Sequence, residues 1–200
     1  MDYPETDGKP VAESDRHIRL LLELCSELDY YFHNDPNVYV SGNLMLYYEE
    51  GNPSASISPD VFVVKGVSKK DRRVYKLWEE GKAPDVAIEL TSRSTRLDDL
   101  GVKRTLYAEF GIAEYFIYDP QQEYLKPALQ GYRLENGNYA PIVADAHGKL
   151  RSAILNLDLQ IVDGDLRLFD PSTNQMLLTP LEAQVEVKRL RAELKKLRGE

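Results

Sequence analysis

Asp85-Val86-Ala87-Ile88-Glu89-Leu90 is the stretch on which the fold turns. It follows Ala83-Pro84, where the chain restarts after a charged excursion over residues 68–81. A strand sends alternate side chains to opposite faces, so Asp85, Ala87 and Glu89 share one side and Val86, Ile88 and Leu90 the other. Two apolar sides predict a strand buried within a sheet. Glu89 breaks that pattern, because a carboxylate inside an apolar run must be paired, coordinated or neutral.

Working upstream, Ser58-Pro59-Asp60 opens a second run, Val61-Phe62-Val63-Val64. It is too short for a helix and apolar on both faces, which predicts another buried strand with Asp60 at its mouth. Downstream, the loop Thr91-Ser92-Arg93-Ser94-Thr95 leads to a helix over about residues 97–110, with Gly111 as its C-cap. Glu114-Tyr115-Phe116-Ile117-Tyr118 then reads as a strand stopped by Asp119-Pro120. Strand, strand, helix, strand is the skeleton of an α/β fold, a mixed sheet flanked by helices.

The flanks fit around that skeleton. Residues 1–13 are polar and read as a mobile lead-in. Ser14 can cap a helix whose apolar stripe is Ile18, Leu21, Leu22, Cys25, Leu28 and Phe32. Asn34-Asp35-Pro36-Asn37 is a turn, followed by short strands near 38–40 and 44–48. Glu135-Asn136-Gly137-Asn138 predicts a hairpin between two further strands, and another β stretch covers 157–168. From Thr179 onward Val187, Leu190, Leu194 and Leu197 alternate by three and four, the signature of an amphipathic, coiled-coil-like helix. The expected organisation is a lead-in (1–13), one α/β domain (14–178) and a C-terminal helix (179–200) that promotes self-association, as in a dimer.

Composition narrows the function classes. With 42% hydrophobic and 29% charged residues in 200, the chain can bury a core of its own. No run approaches the roughly 20 apolar residues of a membrane helix, and Met1-Asp2-Tyr3-Pro4-Glu5 lacks the order of a signal peptide, so no membrane partner and a cytoplasmic location are expected. A single cysteine, Cys25, excludes an internal disulfide and a cysteine-based zinc site. The net charge of −8 runs against the basic footprint usual in a nucleic-acid binder, so any such affinity must be local or metal-assisted. One basic concentration stands out: Lys65, Lys69, Lys70, Arg72, Arg73 and Lys76 outnumber Asp71, as either a solvated loop or a phosphate contact.

Asp60 begins one apolar strand and Glu89 ends another, so neighbouring strands in the right register bring the two carboxylates together. At about 4 Å two such charges repel by roughly 4 kcal/mol at an effective dielectric near 20. The pair therefore calls for a metal ion or for one bound proton. Asp85 is the rival to Asp60, but four residues of strand hold it about 13 Å from Glu89, too far to share an ion, and opening the strand is the better reading. His17, near the start of the first helix, is placed to approach such a site and Glu23 or Glu27 to supply an acidic helper, but a core-edge or solvent position is the better reading of each; His33 and His147 show no ligand spacing.

Pro59-Asp60, Glu89-Leu90-Thr91-Ser92, Lys103 with Tyr107-Ala108 and Gly111, and Glu114 to Pro120 together resemble the Uma-type "putative restriction endonuclease" family of the PD-(D/E)xK nuclease superfamily. The resemblance covers about residues 14–120, more weakly to about 180. It implies a restriction-endonuclease-like fold and a DNA-cleaving hydrolase dependent on Mg²⁺ or Mn²⁺, with Asp60 and Glu89 as metal ligands and Lys103 as the catalytic lysine. The superfamily lysine normally lies two residues after the acid, where this chain has Thr91; in the Uma-type pattern the following helix supplies it, and Lys103 fits there. Arg93 stands where the family loop usually carries proline. Two alternatives stay open: a salt bridge between Glu89 and Lys103 that simply ties helix to strand, and an inactive nuclease fold serving as a binding or assembly module.

Overall fold

The computed structural model describes residues 2–6 and 14–198. In chain order the elements are α1 (Asp15–Tyr31), β1 (Val38–Ser41), β2 (Leu46–Tyr47), β3 (Ser56–Ile57), β4 (Val61–Lys65), β5 (Tyr75–Lys76), α2 (Leu77–Glu80) and β6 (Val86–Leu90). There follow α3 (Arg96–Asp98), a π-helical turn (Asp99–Lys103), α4 (Arg104–Glu109), β7 (Glu114–Tyr118), β8 (Leu129–Glu135) and β9 (Asn138–Pro141). The chain closes with β10 (Leu150–Ser152), β11 (Leu157–Val162), β12 (Asp165–Asp170), β13 (Gln175–Met176) and α5 (Pro180–Arg198).

The two apolar runs meet at the centre of a six-stranded sheet of order β1-β4-β6-β7-β8-β9. Its pairs are antiparallel except β6 with β7. That parallel pair needs a crossover, and the helical segment from Arg96 to Glu109 supplies it. The alternation read from the sequence sorts the core. Val61, Val63, Val86, Ile88 and Leu90 join α1 and the four-stranded sheet β10-β11-β12-β13 on one face. Ala87, Tyr107, Tyr115 and Ile117 form a second cluster on the other face, beside the small sheet β3-β2-β5. The mixed α/β sandwich is therefore the fold class the pattern predicts.

Local details differ from the expectations. The first helix buries Leu20, Leu24 and Leu28, while Ile18 and Leu22 are 45% and 59% exposed. Both apolar rows have helical spacing, and only docking on the sheet selects between them. The helix expected over 97–110 is interrupted by the π turn, and the strand expected over 44–48 shrinks to Leu46–Tyr47. Asn136 and Gly137 take positive φ, 52° and 81°, as the two-residue hairpin requires. Of the segment read as a lead-in, residues 1 and 7–13 lie outside the described residues. Within residues 2–6, Tyr3 packs on Tyr47 and Trp78, and the Tyr47 hydroxyl donates to the Pro4 carbonyl. Among the described residues no helix is long and apolar enough to cross a membrane.

Candidate active site

Strand register creates the site. β4 and β6 are antiparallel with Val61 opposite Ile88, so one further step sets Asp60 opposite Glu89. Residues directly opposite on antiparallel strands share a face. The Asp60 amide reaches Glu89 Oε2 at 3.3 Å, and in return Asp60 Oδ2 accepts the Leu90 amide at 2.7 Å. Gly42 holds Asp60 from behind: a Cβ there would lie 2.4 Å from the Asp60 carbonyl oxygen and 2.6 Å from Cys25 Sγ, so only glycine permits this approach.

Lys103 comes in from the end of the π turn. Its Nζ lies 2.7 Å from Glu89 Oε2 and 3.0 Å from Asp99 Oδ1. Asp99, 1% exposed, also accepts the Thr91 hydroxyl at 2.6 Å, and the Tyr115 hydroxyl caps its carbonyl at 2.9 Å. Tyr107, fully enclosed on α4, donates to Glu89 Oε1 at 2.5 Å. His17 sits on the first turn of α1, just after the N-cap at Ser14, with Nε2 3.4 Å from Asp60 Oδ1.

Three carboxylates thus crowd one ammonium. Burial pushes the Glu89 carboxyl up to about 8 against the pull of Lys103, and the charges of Asp60 and Asp99 add to the rise. Burial also works to raise Asp60, but the hydrogen bond to His17 and the Lys103 charge prevail and hold it below the ordinary carboxylate range. Burial draws the lysine down, yet its acidic neighbours, Glu89 first, more than reverse this and raise it. Lys103 Nζ and the Asp60 amide donate to one oxygen of Glu89 and the Tyr107 hydroxyl to the other, so three donors oppose the rise that burial and the neighbouring acids impose on this carboxyl.

An open cleft of about 420 Å³ lies over this cluster. Asp60, Lys103 and His17 form its floor, Ser92, Arg93, Ser94 and Thr95 one rim, and Gln121 and Tyr124 the other. The family model of Uma2, described as "Putative restriction endonuclease", matches residues 3–163. The chain belongs to the Uma2 family. A solved structure titled as a putative nuclease belonging to DUF820, from Anabaena variabilis ATCC 29413, is similar over 76% of this chain and 86% of that one, at 15% identity and a TM-score of 0.53. At that identity the likeness speaks for a shared fold. No curated protein matches the chain.

The Uma2 match contains every residue of the cleft and stops before β12, β13 and α5. The structure brings together the three residues singled out from sequence, Asp60, Glu89 and Lys103. Asp85 is apart from them and opens its strand, accepting the Lys65 amide at 2.6 Å and pairing with Lys82 at 3.0 Å. His17, partly buried, lines the cleft floor beside Asp60, the approach to the site that was the lesser of its two readings. Asp99 and Tyr107 were missed as partners of the site. The i,i+4 spacing of Asp99 and Lys103 was the available signal for the first; nothing local marks the second. The basic run from Lys65 is paired within the chain, largely at the surface: Lys69 pairs with Asp29, Lys70 and Arg72 with Glu80, Arg73 with Glu5 and Lys76 with Glu79, while Lys65 donates to the Ile154 carbonyl.

Asp60 and Glu89 offer hard oxygen donors of the kind Mg²⁺ and Mn²⁺ prefer. Among the described residues no group of three or more His, Cys, Asp or Glu side chains is arranged as a metal cage. Magnesium commonly takes only one or two carboxylates and completes its shell with water and phosphate oxygens, so two acids suffice. Metal ligation needs deprotonated carboxylates: Asp60, which lines the cleft, is held below the ordinary carboxylate range, and the Lys103 ammonium 2.7 Å from Glu89 favours the charged form there. The residues fit such an ion.

Proposed function

We propose that the cleft hydrolyses phosphodiester bonds in DNA as a Mg²⁺- or Mn²⁺-dependent endonuclease. One observation carries the reading: Glu89 and Asp99 converge on the Lys103 ammonium, and Asp60, hydrogen-bonded to Glu89 through its amide, lines the open cleft with that lysine. Asp60 and Glu89 hold the divalent cation, which when bound lowers the pKa of a water and offsets phosphate charge. Lys103, anchored by Asp99, orients the attacking water and stabilises the negative charge that builds on the scissile phosphate. Asp99 itself is fixed by the Thr91 hydroxyl, so the lysine is positioned from two sides. Arg93 and the hydroxyls of Ser92, Ser94 and Thr95 offer donors to phosphate oxygens at the rim, supplying locally what a net charge of −8 denies globally.

The test joins binding to cleavage. Millimolar Mg²⁺ or Mn²⁺ should raise the melting temperature of the wild type but not of Glu89→Gln, by mass action on the folded state. Supercoiled plasmid should be nicked or linearised by the wild type alone. A second reading has its own support, since Lys103 and Tyr107 already satisfy both oxygens of Glu89 with no ion. In that case the cluster is a structural tie and the fold a binding module. A wild type whose melting temperature neither metal shifts favours that reading.

A further inference from the structure

The surface outside the Uma2 match carries a second feature. Helix α5 leaves the domain with its apolar side in water: Val187, Leu190, Leu194 and Leu197 are 45%, 45%, 51% and 81% exposed. With Ala183 they recur at intervals of four, three, four and three, the a/d spacing of a coiled coil. At the root of this seam Ala183 and Val187, with Tyr30 of α1 and Leu178, line an apolar groove of about 610 Å³. A soluble surface seldom leaves such a stripe uncovered.

We propose that the occupant is α5 of a second copy of this chain, packed as a parallel two-stranded coiled coil. Charge decides both the partner and the direction. With Val187 and Leu194 at a and Leu190 and Leu197 at d, the flanking g positions are Glu186 and Glu193 and the flanking e positions Arg191 and Arg198. In a parallel pair each g residue faces the e residue five positions further along the partner helix. Glu186 then meets Arg191 of the second copy, Glu193 meets Arg198, and both pairs are attractive. An antiparallel pair sets g against g and e against e, which brings Glu to Glu and Arg to Arg. Valine at an a position over leucines at d is also the combination that favours two parallel strands.

The helix is fastened for this role at its base. Thr179 and Glu182 form a reciprocal cap, with the Glu182 amide donating to Thr179 Oγ1 at 3.2 Å and the Thr179 amide to Glu182 Oε2 at 2.8 Å. Arg167 of β12 clamps the same carboxylate at 2.7 and 3.0 Å. The seam is therefore presented at a fixed angle, which lowers the ordering cost of pairing. Each copy keeps a whole cleft, since His17, Asp60, Glu89 and Lys103 come from one chain. Pairing and cleavage are thus separable.

Sedimentation of the full chain over a concentration series should show mass rising from one copy of 22.8 kDa to two. The double variant Glu186→Lys with Glu193→Lys should stay monomeric, as should Arg191→Glu with Arg198→Glu, and mixing the two should restore a dimer. Direction is read by Leu197→Cys in a Cys25→Ala background. Mild oxidation should cross-link it to itself, because parallel pairing sets each d residue beside its own copy. A wild type that is monomeric throughout overturns the proposal, as does a dimer that survives both charge variants. Failure of Leu197→Cys to cross-link overturns the parallel arrangement. Unchanged melting of the globular domain in every variant confirms that only pairing has been altered.

Discussion

Glu89 on β6 and Glu114 on β7 are enclosed in the same sheet on neighbouring parallel strands, at 0% and 1% exposure, and they face opposite sides of it. Glu114 is saturated. Its two oxygens accept from the Arg133 guanidinium at 2.9 Å, the Ser152 hydroxyl at 2.5 Å and the amides of Ala153 and Ile154 at 3.0 and 3.3 Å. Those donors join the central sheet to β10 and the loop after it. Glu89 is held by a hydroxyl, an ammonium and one long amide contact, with a second acid, Asp60, beside it at the cleft lining. Burial alone therefore does not mark a working carboxylate. What distinguishes Glu89 is that two further acids, Asp60 and Asp99, share its single ammonium, which leaves negative charge that a cation would offset.

The largest expected effect comes from exchanging each acid for its amide. Under the proposed function Glu89→Gln should lower plasmid cleavage about 10⁴-fold, roughly 5.5 kcal/mol of barrier, while melting within a few degrees of the wild type. Plasmid nicking and calorimetry on the same preparation check both halves. Next comes Lys103→Ala, which should cut the cleavage rate by about 10²–10³-fold, as loss of one group stabilising developing charge does. The metal-induced rise in melting temperature should persist, because both carboxylates remain. Lys103→Arg should not rescue the rate, since a planar guanidinium does not reproduce a compact ammonium. Should Lys103→Ala leave cleavage unchanged, the lysine is only a tie between helix and strand.

Glu114→Gln should do the reverse of Glu89→Gln. It should cost about 2–4 kcal/mol of stability, because Arg133 loses its partner and an amide NH₂ is forced against backbone donors. At about 2–4 °C per kcal/mol for a chain of this size, calorimetry should register a drop of several degrees, with cleavage kept within a few-fold.

A third buried acid sharpens the contrast through pH. Glu27, 3% exposed on α1, is pushed up to about 8 by burial, with Arg167 lowering it only in part. A carboxyl whose folded pKa lies above its unfolded value stabilises the fold fully below the unfolded value and loses that stabilisation as pH rises through the folded one. Melting temperature should therefore fall between about pH 4.5 and 8, and Glu27→Gln should flatten that slope. A slope unchanged in the variant would assign it to other groups. The smallest effect is at the rim, where Arg93→Ala should weaken DNA binding only modestly and reduce the slope of log affinity against log salt by about 1, the share of one phosphate contact. Fluorescence titrations at several salt concentrations measure it.

How much could be read in advance varies with the range of the interaction. The alternation in 85–90 and the apolar run at 61–64 placed two acids at strand ends, and an antiparallel neighbour was enough to bring them together. Lys103 was reached through resemblance, because a surface-like lysine on a helix carries no local mark of its target. His17 stayed between two readings: its helix shows two apolar rows, and docking through the row of Leu20, Leu24 and Leu28 sets the first turn beside Asp60. The basic run was ambiguous because its acidic partners Asp29 and Glu5 lie far away in sequence.

The sequence by itself determined the strands, their faces, the Asn-Gly hairpin and the a/d spacing of the last helix, since each depends on periodicity or turn chemistry within a few residues. Only the tertiary structure decided in which direction each acid departs from its ordinary range, because that depends on how many charges share one enclosed volume and how far water is excluded. It also decided that Asp99 and Tyr107 belong to the site and that Glu114 does not. Those outcomes depend on strand register and helix docking, which sum contacts from the whole chain and leave no signature in any one segment.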